Sequence, residues 1–130
     1  MKTYHIRNIL VPIDFSKLSL HALHHAERLA MNARARITLL HVIEPYVDVL
    51  GRDSAMLAAA ARIEKELQTG SATRLQKIVN ALATRTKLRV VSQTAIGSIA
   101  HTIRRTAANT RANLILMGTH GAHGFLENLV

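Results

Sequence analysis

An open, doubly wound parallel α/β sheet with helices on both faces is the fold this sequence predicts, and three observations point to it. Short runs of branched aliphatic residues, too uniformly apolar to alternate, suit strands buried on both faces of a parallel sheet. Between these runs lie stretches whose apolar residues recur at helical spacing. The two kinds succeed one another as strand, helix, strand, helix, strand, helix, strand, the order of repeated right-handed crossovers. With 130 residues, 48 % of them apolar, the chain is expected to form one domain over positions 1–130. Its aromatics are confined to Tyr4, Phe15, Tyr46 and Phe125, so the core is expected to be aliphatic.

The first strand is "NILVPI", Asn8 to Ile13. Asp14 and Ser16 then supply a turn and a helix N-cap. Leu18, Ala22, Ala26, Leu29, Ala30 and Ala33 repeat at helical spacing, with His21, His24, Glu27 and Arg28 mostly on the other faces. "RITLLHVI", Arg36 to Ile43, is the second strand, and it stops at Glu44 and Pro45 because proline lacks the N–H that a ladder needs. A loop over 46–53 leads to the alanine-rich "SAMLAAAARIEKELQ", a strong helix former. Gly70 and Ser71 interrupt that pattern before Leu75, Ile78, Val79 and Leu82 restore it, so either one kinked helix or two in tandem is expected. "KLRVVSQTAI" is the third strand, "SIAHTIRRTAANT" the third helical stretch and "NLILM" the fourth strand, followed by the start of another helix.

Composition excludes several chemistries. No cysteine is present, which removes disulfides, thiolate metal sites and cysteine nucleophiles. No apolar run reaches the roughly 18 residues of a membrane span, so a soluble, cytoplasmic chain with no membrane partner is expected. The net charge of +9 favours polyanions, but the seventeen Lys and Arg residues are scattered and only Arg104 and Arg105 adjoin. With no aromatic among them to stack a base, nucleic acid is not the expected partner. His21, His24 and His25 have metal-chelating spacing without the Glu of H-E-x-x-H or a third ligand, and His120 and His123 form another pair. Both groups read as exposed histidines, and no metal site is expected. No G-x-S-x-G elbow occurs, and no acidic pair is placed for acid/base work.

In open α/β sheets ligands settle at the carboxyl ends of the strands, beside the switch in strand order. This rule selects the loops at Pro12 to Ser16, Val42 to Pro45, Ile96 to Ile99 and Gly118 to Gly124. "GTHG", from Gly118 through Thr119 and His120 to Gly121, follows a strand and precedes a helical stretch, so its backbone N–H groups can converge on an anion. It matches neither G-x-G-x-x-G nor the P-loop.

"RNILVPIDFSKLSLHALHHAERLA", "ITLLHVIEP", "AIGSIAHTI" and "LILMGTHGAHGF" together resemble the universal stress protein family over essentially the whole chain. The resemblance implies an open α/β sheet, a frequent dimer and, in one subgroup, ATP binding through Gly, two residues, Gly, nine residues, Gly, then Ser or Thr. Gly118 and Gly121 match the first two glycines; Ala122 to Val130 fill the spacer, so the third glycine and the hydroxyl residue would be positions 131 and 132. The tail that gives the family its terminal phosphate contacts, a helix and a last strand is therefore expected to be missing, leaving the fourth strand as an exposed apolar edge. By resemblance, Pro12, Ile13 and Asp14 line a nucleotide pocket, Val42 presents its backbone to the adenine, Gly97 lies near the ribose, and Met117, Gly118, Thr119, His120 and Gly121 hold sugar and phosphates. Read singly, Asp14 is as well a helix cap, Val42 and Met117 core, and His120 a loop histidine. The family often has Pro where Ile99 stands and Asp where Asn113 stands. The implied ligand is ATP or AMP, with or without Mg, and the implied role is nucleotide-dependent binding in stress response, with at most slow hydrolysis assisted by His120. The alternative is a dimeric stress-related interaction module that binds no nucleotide.

Overall fold

The computed structural model describes residues 4–46 and 50–118. Strand β1 (Asn8–Pro12) leads to helix α1 (Lys17–Ala33), β2 (Arg36–Ile43), α2 (Ser54–Thr86), β3 (Val90–Ile96), α3 (Ile99–Asn109) and β4 (Leu114–Ile115). The strands form one parallel sheet in the order β3-β2-β1-β4. β1 pairs with β2 from Asn8 opposite Arg36 to Pro12 opposite Leu40. On its other edge it meets β4 at Ile9 opposite Leu114 and Leu10 opposite Ile115. The chain thus winds from β1 out to β3, then crosses back to the far side of β1, which makes the gap between β1 and β4 the switch point.

Alternation along the strands divides the core. Ile9, Val11, Ile37 and Leu39 pack against Leu23 and Ala26 of α1 and Leu75, Val79 and Leu82 of α2. Leu10 and Leu40 face the other way, against Ile99 and Ile103 of α3. Both faces of β1 and β2 are covered, as uniformly apolar strands require, whereas Val91, Gln93 and Ile96 of β3 are exposed.

Local chemistry sets the helix ends. Ser16 Oγ accepts the Ser19 N–H at 3.2 Å and Asp53 Oδ1 accepts the Met56 N–H at 2.9 Å, each satisfying a donor that the first turn leaves over. α1 and α2 stop at residues in the left-handed region, Arg34 at φ 57° and Lys87 at φ 61°, where glycine is the common choice. Their N–H groups close on the carbonyls of Ala30 and Ala83.

Three expectations are corrected, and the choice between one helix and two in the second helical stretch is decided. The buried face of α1 runs through Ser19, Leu23 and Glu27 as well as Ala22, Ala26 and Ala30, while Leu18 and Leu29 are exposed. Glu27 tolerates burial because Arg85 of α2 grips it with two hydrogen bonds, Nε to Oε1 at 3.1 Å and Nη2 to Oε2 at 2.8 Å. The hydrogen bonds first, and then the carboxylate's charge, hold the Arg85 guanidinium above its ordinary pKa. Gly70 does not divide the second helical stretch, since α2 is continuous over 33 residues. β3 begins at Val90 because Lys87 is spent on capping α2. β4 is a two-residue ladder, extended at its ends by Asn113 N–H to Asn8 O at 2.9 Å and Leu116 N–H to Leu10 O at 3.0 Å.

A Cβ at Gly70 would meet nothing within 4 Å. Gly70→Ala is expected to stabilise the protein by about 0.5–1 kcal/mol through helix propensity. Leu75→Ala, at a fully buried position, is expected to cost about 2–5 kcal/mol. Urea denaturation of the two variants checks both signs.

Candidate functional site

The carboxyl ends of the four strands bring Pro12, Ile13, Asp14, Val42, Gly97, Met117 and Gly118 to one edge of the sheet. Thr119, His120 and Gly121 lie outside the described residues.

After β1 the chain stays in register for one more residue, with the Ile13 N–H donating to Leu40 O at 2.7 Å. It then turns sharply. Asp14 Oδ1 accepts the Ser16 N–H at 2.9 Å, and the Asp14 N–H donates to Ser19 Oγ at 3.3 Å, so Asp14 is part of the cap of α1. Between them Phe15 adopts φ 64°, a left-handed conformation that costs a bulky residue roughly 1–3 kcal/mol. Two contacts hold its ring there. Its ring lies 4.8 Å from that of His41, and the Arg74 guanidinium sits 3.8 Å from its centroid, a cation–π arrangement. His41 Nδ1 lies 2.6 Å from Ile13 O; a carbonyl only accepts, which assigns the proton to Nδ1. His41, Phe15 and Arg74, from β2, the β1–α1 turn and α2, thus brace the turn that presents Asp14. Sequence reasoning missed this stack. Its one available signal was an aromatic at a strand end in a chain nearly without aromatics.

Val42 and Met117 lie on the α3 side, partly buried against Leu10, Leu40, Ile99 and Ile103. Their side chains are core, and what they offer the edge is backbone and apolar surface. The Gly97 N–H donates to Ile43 O at 2.9 Å, and a Cβ there would lie 3.0 Å from Thr102 Oγ1. Gly118 is more constrained. A Cβ on it would lie 3.0 Å from Leu18 Cβ and 3.2 and 3.3 Å from the Leu18 backbone C and O. A side chain here would force the end of β4 and the first turn of α1 apart by a few tenths of an ångström.

Electrostatics at this edge favour an anion. α1 and α3 begin here with neutral caps, Ser16 and Ser98, and carry no acidic residue in the first turn. Each N-terminus supplies roughly half a positive charge. The start of β4 is clamped by one side chain: Asn113 Oδ1 accepts the N–H groups of Arg7 at 2.7 Å and Asn8 at 3.0 Å. Asn8 Nδ2 answers by donating to the carbonyls of Thr110 and Arg111 at 3.2 Å each. The amide of Asn113 therefore supplies the acceptor that pins the start of β4 beside β1. His21 and His25 meet through Nε2 atoms 3.2 Å apart, but no group of three metal-ligating side chains occurs among the described residues. No helix of the described residues is long and apolar enough to cross a membrane.

The model of the universal stress protein family matches residues 5–130, and the chain belongs to that family. It is 24 % identical over 120 residues to universal stress protein A homolog 1 of Coxiella burnetii, covering 92 % of this chain and 81 % of the relative. The solved universal stress protein UspA from Lactobacillus plantarum superposes with a TM-score of 0.81 at 21 % identity, over 92 % of this chain and 81 % of that one. A universal stress protein solved in complex with cAMP shares the fold with a TM-score of 0.54 at 17 % identity, over 86 % of this chain and 71 % of that one.

Gly118→Ala is expected to lower stability by about 1–3 kcal/mol through overpacking against Leu18. The opposite sign from Gly70→Ala, read in the same urea denaturation, checks that close approach fixes the glycine.

Proposed function

We propose that this universal stress protein binds an adenine nucleotide, ATP or AMP, at the carboxyl edge of its sheet and acts in stress response through nucleotide-dependent binding. The observation that supports this best is the enforced passage of Gly118 against the first turn of α1. It brings the end of β4 to the switch point, beside two helices whose first turns carry no acidic residue, where phosphates are favoured. In this reading Pro12, Ile13 and Asp14 line the base and sugar, and Val42 offers its backbone to the adenine. Gly97 lies near the ribose, and Met117 and Gly118, continued by Thr119, His120 and Gly121, hold the sugar and phosphates, with or without Mg. The cAMP complex of a relative supports a nucleotide as the ligand class. Asp14 stays engaged with α1, which suits it to fixing the turn and contacting ligand donors rather than to acid/base chemistry, so binding rather than turnover is the proposed activity. Isothermal titration with ATP, AMP and a noncleavable ATP analogue is expected to give saturable binding, with phosphate release at background. No heat of binding at millimolar nucleotide would rule the reading out.

A dimeric interaction module that binds no nucleotide is the second reading. It is favoured by the position of β4 at the sheet edge among the described residues, with Ile115 exposed, since an uncovered edge strand recruits another chain. Light scattering decides it: a dimer whose mass is unchanged by nucleotide, together with silent titrations, is the expected pattern for this module.

A further inference from the structure

The opposite edge of the sheet carries a second feature. At the amino ends of β1, β2 and β3 a groove of about 560 Å³ is lined by Arg7, Arg34, Arg36, Lys87 and Arg89, with Met31 and Leu88 among its apolar walls. Its volume lies in the range of small-molecule sites, roughly 300–1,000 Å³. Among the described residues no carboxylate lines it. Most of the acidic residues lie elsewhere by topology: Asp14, Glu44 and Asp53 follow strands at the carboxyl edge, Glu64 and Glu66 sit in the outer half of α2, and Glu27 is engaged by Arg85.

Backbone pairing makes the cluster compact. The Arg36 N–H donates to Arg7 O at 2.7 Å and the Ile37 N–H to Arg89 O at 3.0 Å, so Arg7, Arg36 and Arg89 stand at the starts of three neighbouring strands, each about 4.8 Å from the next. Arg34 and Lys87 join them from the turns that end α1 and α2. A helix C-terminus attracts cations, but each contributes only about half a negative charge. Two helix ends leave most of the five positive charges uncompensated. Arg34 and Lys87 occupy left-handed positions where glycine is the unstrained choice, so two of the five cations stand at positions that a neutral residue would fill with less strain.

We propose that this groove binds a small molecule bearing two or more clustered phosphates, at a site separate from the carboxyl edge. Guanidinium groups match phosphate oxygens with paired, directional N–H donors. A nucleic acid is the weaker fit, because the cations converge on one concavity rather than forming a stripe and no aromatic lines the groove to stack a base.

The test uses inorganic tripolyphosphate and fructose 1,6-bisphosphate in isothermal titrations at low and at physiological salt. The key variant is the double substitution Arg34→Gly with Lys87→Gly, which removes two charges while relaxing both caps, so it is expected to melt no earlier than the parent protein. Arg62→Gln with Lys65→Gln, on the exposed outer half of α2, makes the same change in net charge away from the groove. Expected are saturable one-to-one binding, at least tenfold weaker in the glycine double variant and in Arg36→Gln, and within about twofold of the parent in the α2 control, as local rather than net charge requires. Tighter binding of tripolyphosphate marks a phosphate chain as the ligand, and tighter binding of the bisphosphate marks phosphates on an organic body. Failure of both probes to saturate, or equal weakening in the α2 control, overturns the proposal. So does a single-stranded oligonucleotide that binds through the groove arginines and is not displaced by tripolyphosphate.

Discussion

The double embrace of β1 is the constraint on which the other features depend. One edge of this strand is paired along its whole length with β2, and the other is closed by a short ladder to β4 reinforced by Asn8 and Asn113. Because both neighbours run parallel to it, every following element must leave from the same end of the sheet. The reversal of winding between β3 and β4 opens a crevice between β1 and β4, beside Pro12, Ile13 and Asp14, and α1 and α3 start at this end of the sheet on opposite faces. The strand's own sequence permits this. Leu10 and Val11 are fully buried because one side chain serves the α3 layer and the next serves the α1 and α2 layer.

The sheet and its helices were legible because parallel strands buried on both faces leave an unmistakable apolar run, as at Ile9 to Ile13 and Ile37 to Ile43. Less legible were features that depend on a partner far away in the chain. Glu27 reads as a surface residue until Arg85, 58 residues later, is known to grip it. Lys87 reads as the start of a strand because nothing in a lysine announces a left-handed cap. The backbone positions of the carboxyl edge followed from topology, since a strand end is visible in sequence. The His41, Phe15 and Arg74 stack did not, because three elements must first be assembled before its rings meet.

The two edges of the sheet differ in kind. At the carboxyl edge the attraction for anions comes from backbone dipoles and small residues, with side chains such as Asp14 occupied in shaping turns. At the amino edge it comes from full charges on long side chains around a groove. Dipoles fixed in the backbone keep their geometry, whereas arginines and lysines reach the groove on long side chains that can rearrange, and salt screens both. One sheet therefore offers a rigid anion environment at one end and an adaptable one at the other.

Helix α2 has 33 residues, about 50 Å at 1.5 Å per residue, more than twice the length of the seven-residue β3 beside it. Its inner half is fastened through Leu75, Val79 and Leu82, while Ala60 is the one fully buried residue of its outer half. A single continuous hydrogen-bonded rod thus spans two thermodynamic regimes. Amides of the inner half exchange with solvent only when the core opens, and those near Met56 and Leu57 exchange through local fraying that leaves the sheet intact.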